Sequence, residues 1–597
     1  MARVFVEPIG VTVEIGDDDT LLKAVTSAAV AIPTDCGGRG TCGKCLVRLG
    51  AGELTAPTDA ERKKIPAERL GQGWRLACQA KPLTPRVSIE VRETRGRRQI
   101  LTASRLHHGE ARPAVTKQVE SFPVPTLDDA RADLRRVKER LGVATAPLSV
   151  VRRLPDVLRE GRWSALATRY RVGDGPGALI DVEPPGEAPH AYGAAVDIGT
   201  SKIIVYLFDL LEGKLLDQEA VENPQMRYGE DVVTRMTQAI SEGHLDELAR
   251  AAREGINEVL EKLFARQEIA ARHLYDMTVV GNTAMHHLAL GVSPVGLGGA
   301  PFAPALDEPV RLRAADLSLA MNPEGQVEFL PPIAGFVGSD CLAVVAATRL
   351  ESKREPAISI DIGTNTEIAL VHEGKVYVTS CASGPAFEGY QITCGMKATE
   401  GSLERVTFTP DGRPRVLQTI GGTAPVGICG SGVVDVLAGL VKTGVVDKSG
   451  RMQEHERVRR GTDSSEYLLT GGVNGDIVFT QHDVRALQLA KAAIAAGWSL
   501  LLAHVGLTAD DLRHVYVAGA FGNYLDLDNA LAIGLLPPVL KERIAFVGNA
   551  AGVGAQMALI DEGERRRIAE LRRRIAFLEL ATDKEFNSVF TERLSFT

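Results

Sequence analysis

Long apolar runs are missing from this chain of 597 residues, and so is any strong excess of charge. No stretch comes near the ~20 uninterrupted apolar residues that a membrane span needs. The opening residues, Met1-Ala-Arg-Val-Phe-Val-Glu-Pro, read as a strand entering a domain rather than as a signal peptide. The expectation is a cytoplasmic protein with no membrane partner. A net charge of −8 is too modest for a nucleic-acid binder, so no nucleic-acid partner is expected either. Cysteine is scarce: eight in so large a chain build no disulfide framework, and free thiols suit a reducing compartment. Four of them, Cys341, Cys381, Cys394 and Cys429, share no ligand spacing and read as small buried residues. The stretch 562–597 has no cysteine at all.

The remaining four are placed differently. Cys36-Gly-Gly-Arg-Gly-Thr-Cys42-Gly-Lys-Cys45 is a glycine-rich loop, and Cys78 returns about thirty residues later. Three thiolates on one loop and a distant fourth is the ligand pattern of a [2Fe-2S] cluster, whose sulfurs need backbone N–H groups close by, where a Cβ would obstruct them. Plant-type ferredoxins space the loop ligands Cys-x4-Cys-x2-Cys; here the first gap holds five residues, which resembles the adrenodoxin-like branch of that fold. Zinc is the competing reading. Structural zinc sites commonly pair two Cys-x2-Cys knuckles, and Cys78 has no such partner.

Length predicts three or four domains. Residues 1–95 read as a small ferredoxin-like β-grasp domain, with strands at 4–7, 11–15, 46–49 and 87–91 and a helix near 21–30. Residues 96–122 read as a linker and 123–190 as a small middle domain with a helix at 130–141. Between 92 and 171 there are 18 Lys and Arg against 9 acids. Such a segment fits solvated helix faces, or a docking surface for an acidic protein.

From 191 onward the pattern becomes long α/β alternation, and one feature recurs. Ala194-Ala-Val-Asp197-Ile-Gly199-Thr200-Ser201 returns as Ile358-Ser-Ile-Asp361-Ile-Gly363-Thr364-Asn365. Each copy has an apolar strand ending in aspartate, a glycine turn with polar side chains, and a second apolar strand. The duplication predicts two similar lobes, 191–353 and 354–597, facing each other across a cleft. A turn of this kind offers N–H groups and hydroxyls to phosphate oxygens. An aspartate beside it holds Mg²⁺ through water, because that ion keeps much of its hydration shell. Gly427-Ile-Cys-Gly430-Ser431-Gly432 opens a helix, and Val515-Tyr-Val-Ala-Gly519-Ala-Phe-Gly522 ends a strand; both glycine segments read as approaches to a nucleoside or as tight packing.

These turns resemble those of the acetate and sugar kinase, Hsp70 and actin superfamily, which implies ATP bound between paired ribonuclease-H-like lobes. With the cysteine loop, the chain resembles the reductive activators of corrinoid-dependent methyltransferases and corrinoid proteins. The resemblance extends through Asn223-Pro-Gln-Met-Arg-Tyr-Gly-Glu-Asp231, Gly281-Asn-Thr-Ala-Met-His-His287, Gly335-Phe-Val-Gly-Ser-Asp340, Ala382-Ser-Gly-Pro-Ala-Phe-Glu388-Gly and Thr480-Gln-His-Asp-Val-Arg485. It departs from those relatives that carry C-terminal [4Fe-4S] motifs.

The resemblance implies a multidomain α/β protein that uses ATP to drive one electron from its cluster to an inactive cobalt(II) corrinoid protein, restoring cobalt(I). A plant-type centre lies near roughly −400 mV, so a lower couple requires such a drive. Cys36, Cys42, Cys45 and Cys78 then hold the cluster, and Asp197 with Asp361 position Mg²⁺. Gly199, Thr200, Ser201, Gly363, Thr364 and Asn365 clamp phosphates, while Gly430, Ser431, Gly432, Gly519 and Gly522 lie along the nucleoside. Glu367 and Asp340 are secondary choices for ordering the attacking water, and His286 and His287 read as packing or capping groups. An electron donor is needed that the sequence does not identify, and relatives imply a homodimer. The alternatives are a ferredoxin-type carrier with another nucleotide-regulated partner, a redox-sensing small-molecule kinase, or a non-enzymatic regulator.

Overall fold

The two aspartate turns sit at equivalent places in two sheets of like topology. In the first, an antiparallel meander of Tyr192–Ile198, Lys202–Asp209 and Lys214–Glu222 continues, in parallel, into Leu274–Gly281 and Gln326–Phe329, with Val310–Arg313 at the edge. In the second, Ala357–Asp361, Thr366–His372 and Lys375–Cys381 form the meander, and His514–Ala518 and Ile544–Gly548 follow in parallel. The parallel strands are continuous apolar runs because both of their faces are covered. Asp361 ends the first strand of its meander and Asp197 is the last residue but one of its own, beside Ala518 and Val280 of the neighbouring parallel strands.

This computed structural model describes residues 2–7, 11–16, 19–28, 40, 45–65, 67–91, 97–98, 111–186, 189–229, 231–389, 391–461, 464–473, 475–519 and 525–596. Cys36, Cys42 and Gly522 lie outside the described residues.

Between the two sheets run helices Ser339–Thr348 and Ala550–Ile560, both almost entirely buried. Their crossing depends on small residues: a Cβ on Gly554 would stand 2.4 Å from the carbonyl oxygen of Ala343. Helix Ala550–Ile560 belongs to the second half of the chain yet packs on strands Tyr192–Ile198 and Leu274–Gly281 of the first lobe. The two lobes are thereby joined at the floor of the cleft by one shared apolar core. Helix Gln481–His504 is the one helix among the described residues long and apolar enough to cross a membrane, and 78% of its apolar window is buried inside the second lobe.

The N-terminal unit is a five-stranded sheet, with Ala2–Glu7 between Val11–Ile15 and Arg86–Val91, then Leu46–Ala51 and Trp74–Leu76. Ala2–Glu7 and Arg86–Val91 pair in parallel and the other neighbours antiparallel, with helix Leu21–Ser27 against the sheet, which is the expected β-grasp arrangement. A middle unit has four strands, Val115–Ser121, Ser164–Tyr170, Gly177–Glu183 and Val143–Thr145, with helices Asp133–Leu141 and Leu148–Glu160. Its first strand falls inside the stretch 96–122 read above as linker. That strand alternates buried Val115 and Lys117 with exposed neighbours, but the charged residue on its inner face hides the period. Lys117 is accommodated there by Glu183 and by the hydroxyl of Tyr275 at 3.0 Å.

Candidate functional site

Cys45 and Cys78 are 1% and 6% exposed, with their sulfurs 3.2 Å apart. They are brought together because Leu46–Ala51 pairs with Trp74–Leu76 and Ala77 N–H donates to the Cys45 carbonyl at 2.7 Å. Gln79 Nε2 donates to the Cys78 sulfur at 3.6 Å. Gly40 stands close over that glutamine at φ +75°, and a Cβ there would come within 2.8 Å of it. Two buried, converging thiols with an N–H donor and a glycine approach fit an iron–sulfur cluster.

The Cys78 arm is held by a buried ion pair absent from the sequence reading. Glu61, fully buried, accepts Arg75 Nε and Nη2, each at 2.9 Å, and the Leu76 N–H at 3.0 Å. Glu61 also completes a capping box with Thr58. Removing one partner of a buried pair strands the other charge. Glu61→Ala should therefore lower the stability of this domain by about 3–5 kcal/mol, seen as cluster loss at a lower denaturant concentration.

In the cleft, the first turn is held by its carbonyl oxygens. Asn223 Nδ2 donates to Gly199 O at 2.8 Å, Asn223 N to Ser201 O at 3.0 Å, and Arg235 Nη2 to Thr200 O at 2.6 Å. Ser383 does the same for the second turn, donating to Gly363 O at 3.1 Å, and Gly384 N–H donates to Thr364 O at 2.9 Å. Glu388 joins the two turns, accepting Ser201 Oγ at 3.2 Å and Thr364 Oγ1 at 2.8 Å.

Below the turns, Asp197, Asp340, Asp361 and Glu367 converge. Asp361 and Glu367 are direct cross-strand partners, an arrangement of like charges that is unfavourable without a counter-charge. Burial raises the carboxyl of Asp197 to about 6, opposed by the Asn549 amide at 2.8 Å. Burial and the charges of Asp340 and Asp197 raise Asp361 to about 8. Asp340 and Glu367 are raised as well, by burial first and then by neighbouring carboxylates. Among the described residues no three His, Cys, Asp or Glu side chains are close enough to grip a metal directly. Converging, undercompensated carboxylates at longer range fit Mg²⁺ held through its own water.

The lobes exchange contacts symmetrically here. Asn549 caps helix Ala550–Ile560 and reaches across to Asp197; Asn282 caps helix Thr283–Leu290 and reaches Glu367 at 3.5 Å. Gly519, at φ +95°, backs onto Asp361: a Cβ would lie 3.0 Å from Oδ1 and 2.5 Å from Ile362 O. Gly432 serves packing, since a Cβ there would lie 2.1 Å from Leu403 O, and the Ser431 hydroxyl donates to Glu404 O at 2.9 Å. About one turn further along the Gly430–Lys442 helix, Asp435 lines a pocket of about 390 Å³ with Arg405, Thr407, Asp526 and Asn529. His287 ties its helix to a loop, its Nδ1–H donating to Thr283 O at 2.7 Å and its Nε2 accepting Ala305 N–H at 3.0 Å; His286 packs on Phe329.

The raised carboxyls fix a pH dependence. Folded pKa values above the unfolded value near 4 mean that the ligand-free protein binds extra protons, so its stability falls as pH rises from about 4 to 8. A cation needs the ionised forms. Mg²⁺ affinity should therefore climb between pH 6 and 8 with net proton release, measurable by calorimetry in buffers of different ionisation enthalpy.

A ferredoxin-type domain with converging thiols, joined to a duplicated two-lobed core with an acidic cleft, defines an iron–sulfur protein coupled to an actin-like ATPase. Family models agree segment by segment: the 2Fe-2S iron-sulfur cluster binding domain matches residues 4–83, the RACo linker region 104–188 and the RACo middle region 192–353. The C-terminal domain of RACo, the ASKHA domain, matches 355–597. The chain is 34% identical over 600 residues to the corrinoid activation enzyme RamQ of Eubacterium limosum, covering 96% of each chain. It is 25% identical over 438 residues to the [Co(II) methylated amine-specific corrinoid protein] reductase of Methanosarcina barkeri, covering 68% of this chain and 77% of that one. The solved structure of a reductive activator for corrinoid,iron-sulfur protein superposes with a TM-score of 0.76 at 33% identity, over 100% of this chain and 98% of that one. The chain belongs to the RACo family.

Proposed function

We propose that this protein is an ATP-dependent reductive activator that passes one electron to a cobalt(II) corrinoid protein and restores cobalt(I). The observation that carries this is the combination, in one chain, of the buried Cys45 and Cys78 pair with a duplicated acidic cleft. The cluster, when bound by Cys36, Cys42, Cys45 and Cys78, supplies a one-electron centre of low potential.

Asp197 and Asp361 are assigned to the hydration shell of Mg²⁺, one from each lobe. The turns 199–201 and 363–365 are assigned to the phosphates of ATP. Gly519 and the pocket beside Asp435 are assigned to the nucleoside, the Gly430–Lys442 helix forming the pocket wall. Glu367 and Asp340 are assigned to taking a proton from water, a role supported by their holding protons more tightly than ordinary acids do. Asn549 and Asn282 reach from one lobe to the acids of the other, so a change in charge at the acids alters contacts across the cleft. ATP binding and hydrolysis are thereby coupled to the separation of the lobes, and through it to the grip on the corrinoid partner.

The test mixes the anaerobically reduced protein with Mg-ATP and a cobalt(II) corrinoid protein and follows the cobalt(I) spectrum. Appearance of cobalt(I) only with ATP supports the reading. ATP-independent reduction points to a simple carrier, and phosphorylation of a sugar or acid points to a kinase.

A further inference from the structure

We propose that Glu388 is an internal stand-in for phosphate, a carboxylate that bridges the two turns until the nucleotide's phosphates displace it. This rests on the assignment of both turns to phosphate made above. Thr364 Oγ1 donates to one Glu388 oxygen at 2.8 Å and Ser201 Oγ donates to the other at 3.2 Å, although Ser201 and Glu388 are 187 residues apart. One side chain of the second lobe thus occupies a hydroxyl donor from each lobe.

The position is built. Glu388 ends a short 3-10 turn, Pro385–Glu388, between Gly384 at φ +72° and Gly389 at φ +89°, conformations that suit glycine. Ala386 and Phe387, each 2% exposed, anchor that turn in the core of the second lobe. Gly384 N–H ties it to Thr364 O at 2.9 Å. The Glu388 side chain is therefore aimed at the turns by packing on its N-terminal side.

A carboxylate is the side chain most like a phosphate: two oxygens, negative charge, acceptor only. The two cannot accept from the same hydroxyl protons at once, and their charges repel. Each polyphosphate that enters must break two hydrogen bonds to a charged group and push Glu388 off the opposite lobe. Displacement removes a bond between lobes at the moment of nucleotide entry, which makes Glu388 the residue that reports phosphate occupancy to the lobe contact.

Calorimetry on the full-length protein with Mg-ATP and, separately, with adenosine tests this. Glu388→Gln keeps the shape and removes the charge, and it should tighten Mg-ATP by about tenfold while leaving adenosine unchanged. Glu388→Ala, with its thermal midpoint checked against the parent, should behave alike. Unchanged or weaker ATP binding in these variants overturns the proposal, because Glu388 would then be a bystander or a ligand of the nucleotide. Equal tightening of adenosine also overturns it, since the gain would come from a generally looser cleft. Failure of the unaltered protein to bind Mg-ATP would instead sink the assignment of the turns.

Discussion

Cys78→Ala is expected to abolish corrinoid reduction and the visible iron–sulfur absorption together, while Mg-ATP binds at its normal affinity. The sulfur of Cys78 is buried beside that of Cys45, and alanine removes it without adding volume or charge. The cavity left is about one sulfur atom, too small to unfold a domain whose sheet and Glu61–Arg75 pair are untouched. Asp361→Asn should give the complementary result. Asparagine is isosteric, so the cluster absorption stays, but the cleft loses half of its opposed aspartate pair. ATP-dependent cobalt(I) formation should fall by about a hundredfold or more, the usual scale for removing a group that organises charge at a reacting phosphate. The two variants are read by the same absorbance and nucleotide-binding measurements. A Cys78→Ala protein that keeps its absorption, or an Asp361→Asn protein that reduces cobalt at the normal rate, would contradict the division of labour between the domains.

What was legible in the sequence was the local chemistry. A strand running into aspartate and then a glycine turn is written in eight adjacent residues, so Asp197 and Asp361 stand out as candidates, as does the cysteine loop. What lay hidden were side chains that serve the turns from elsewhere. Asn223, Arg235 and Ser383 hold turn carbonyls, and Asn549 reaches Asp197 across 352 positions. Asn549 did carry a signal: it precedes a run of small residues and caps their helix, but an N-cap alone does not say what its amide will touch. Asn282 and Glu388 lie inside segments that carried the family resemblance, without roles attached. The strand at Val115–Ser121 escaped because its buried positions include a lysine, a pattern that only the facing Glu183 and Tyr275 make tolerable.

The same principle governs the joint between the middle unit and the ATPase lobes, where a stability effect as large as that at Glu61 is expected. Arg565 is 1% exposed and donates to both oxygens of the fully buried Asp276, at 2.5 and 3.3 Å. It also donates to the Tyr170 hydroxyl at 2.9 Å and to Ala558 O at 2.8 Å. Arg311 neutralises the nearby Glu328 at 2.6 Å. One guanidinium therefore pins the middle unit, the first-lobe sheet and the helix Glu562–Leu571 to each other. Arg565→Met fills most of the volume but leaves Asp276 without its cation, and should cost about 3–5 kcal/mol in denaturant unfolding. Burial already raises the Asp276 carboxyl, and loss of Arg565 raises it further. The variant can bury Asp276 only as the neutral acid. Its deficit therefore grows as pH rises and shrinks as pH falls. Adding Asp276→Leu removes the stranded charge and should recover much of the loss, because an apolar pair of similar volume has little desolvation to pay. Equal deficits in the single and double variants would show that Arg565 acts through its bonds to Tyr170 and Ala558 rather than through charge. The helix it anchors continues directly from Ala550–Ile560, whose cap Asn549 holds Asp197. Loosening Arg565 should consequently raise the Mg-ATP dissociation constant as well, at a temperature where the variant is still fully folded.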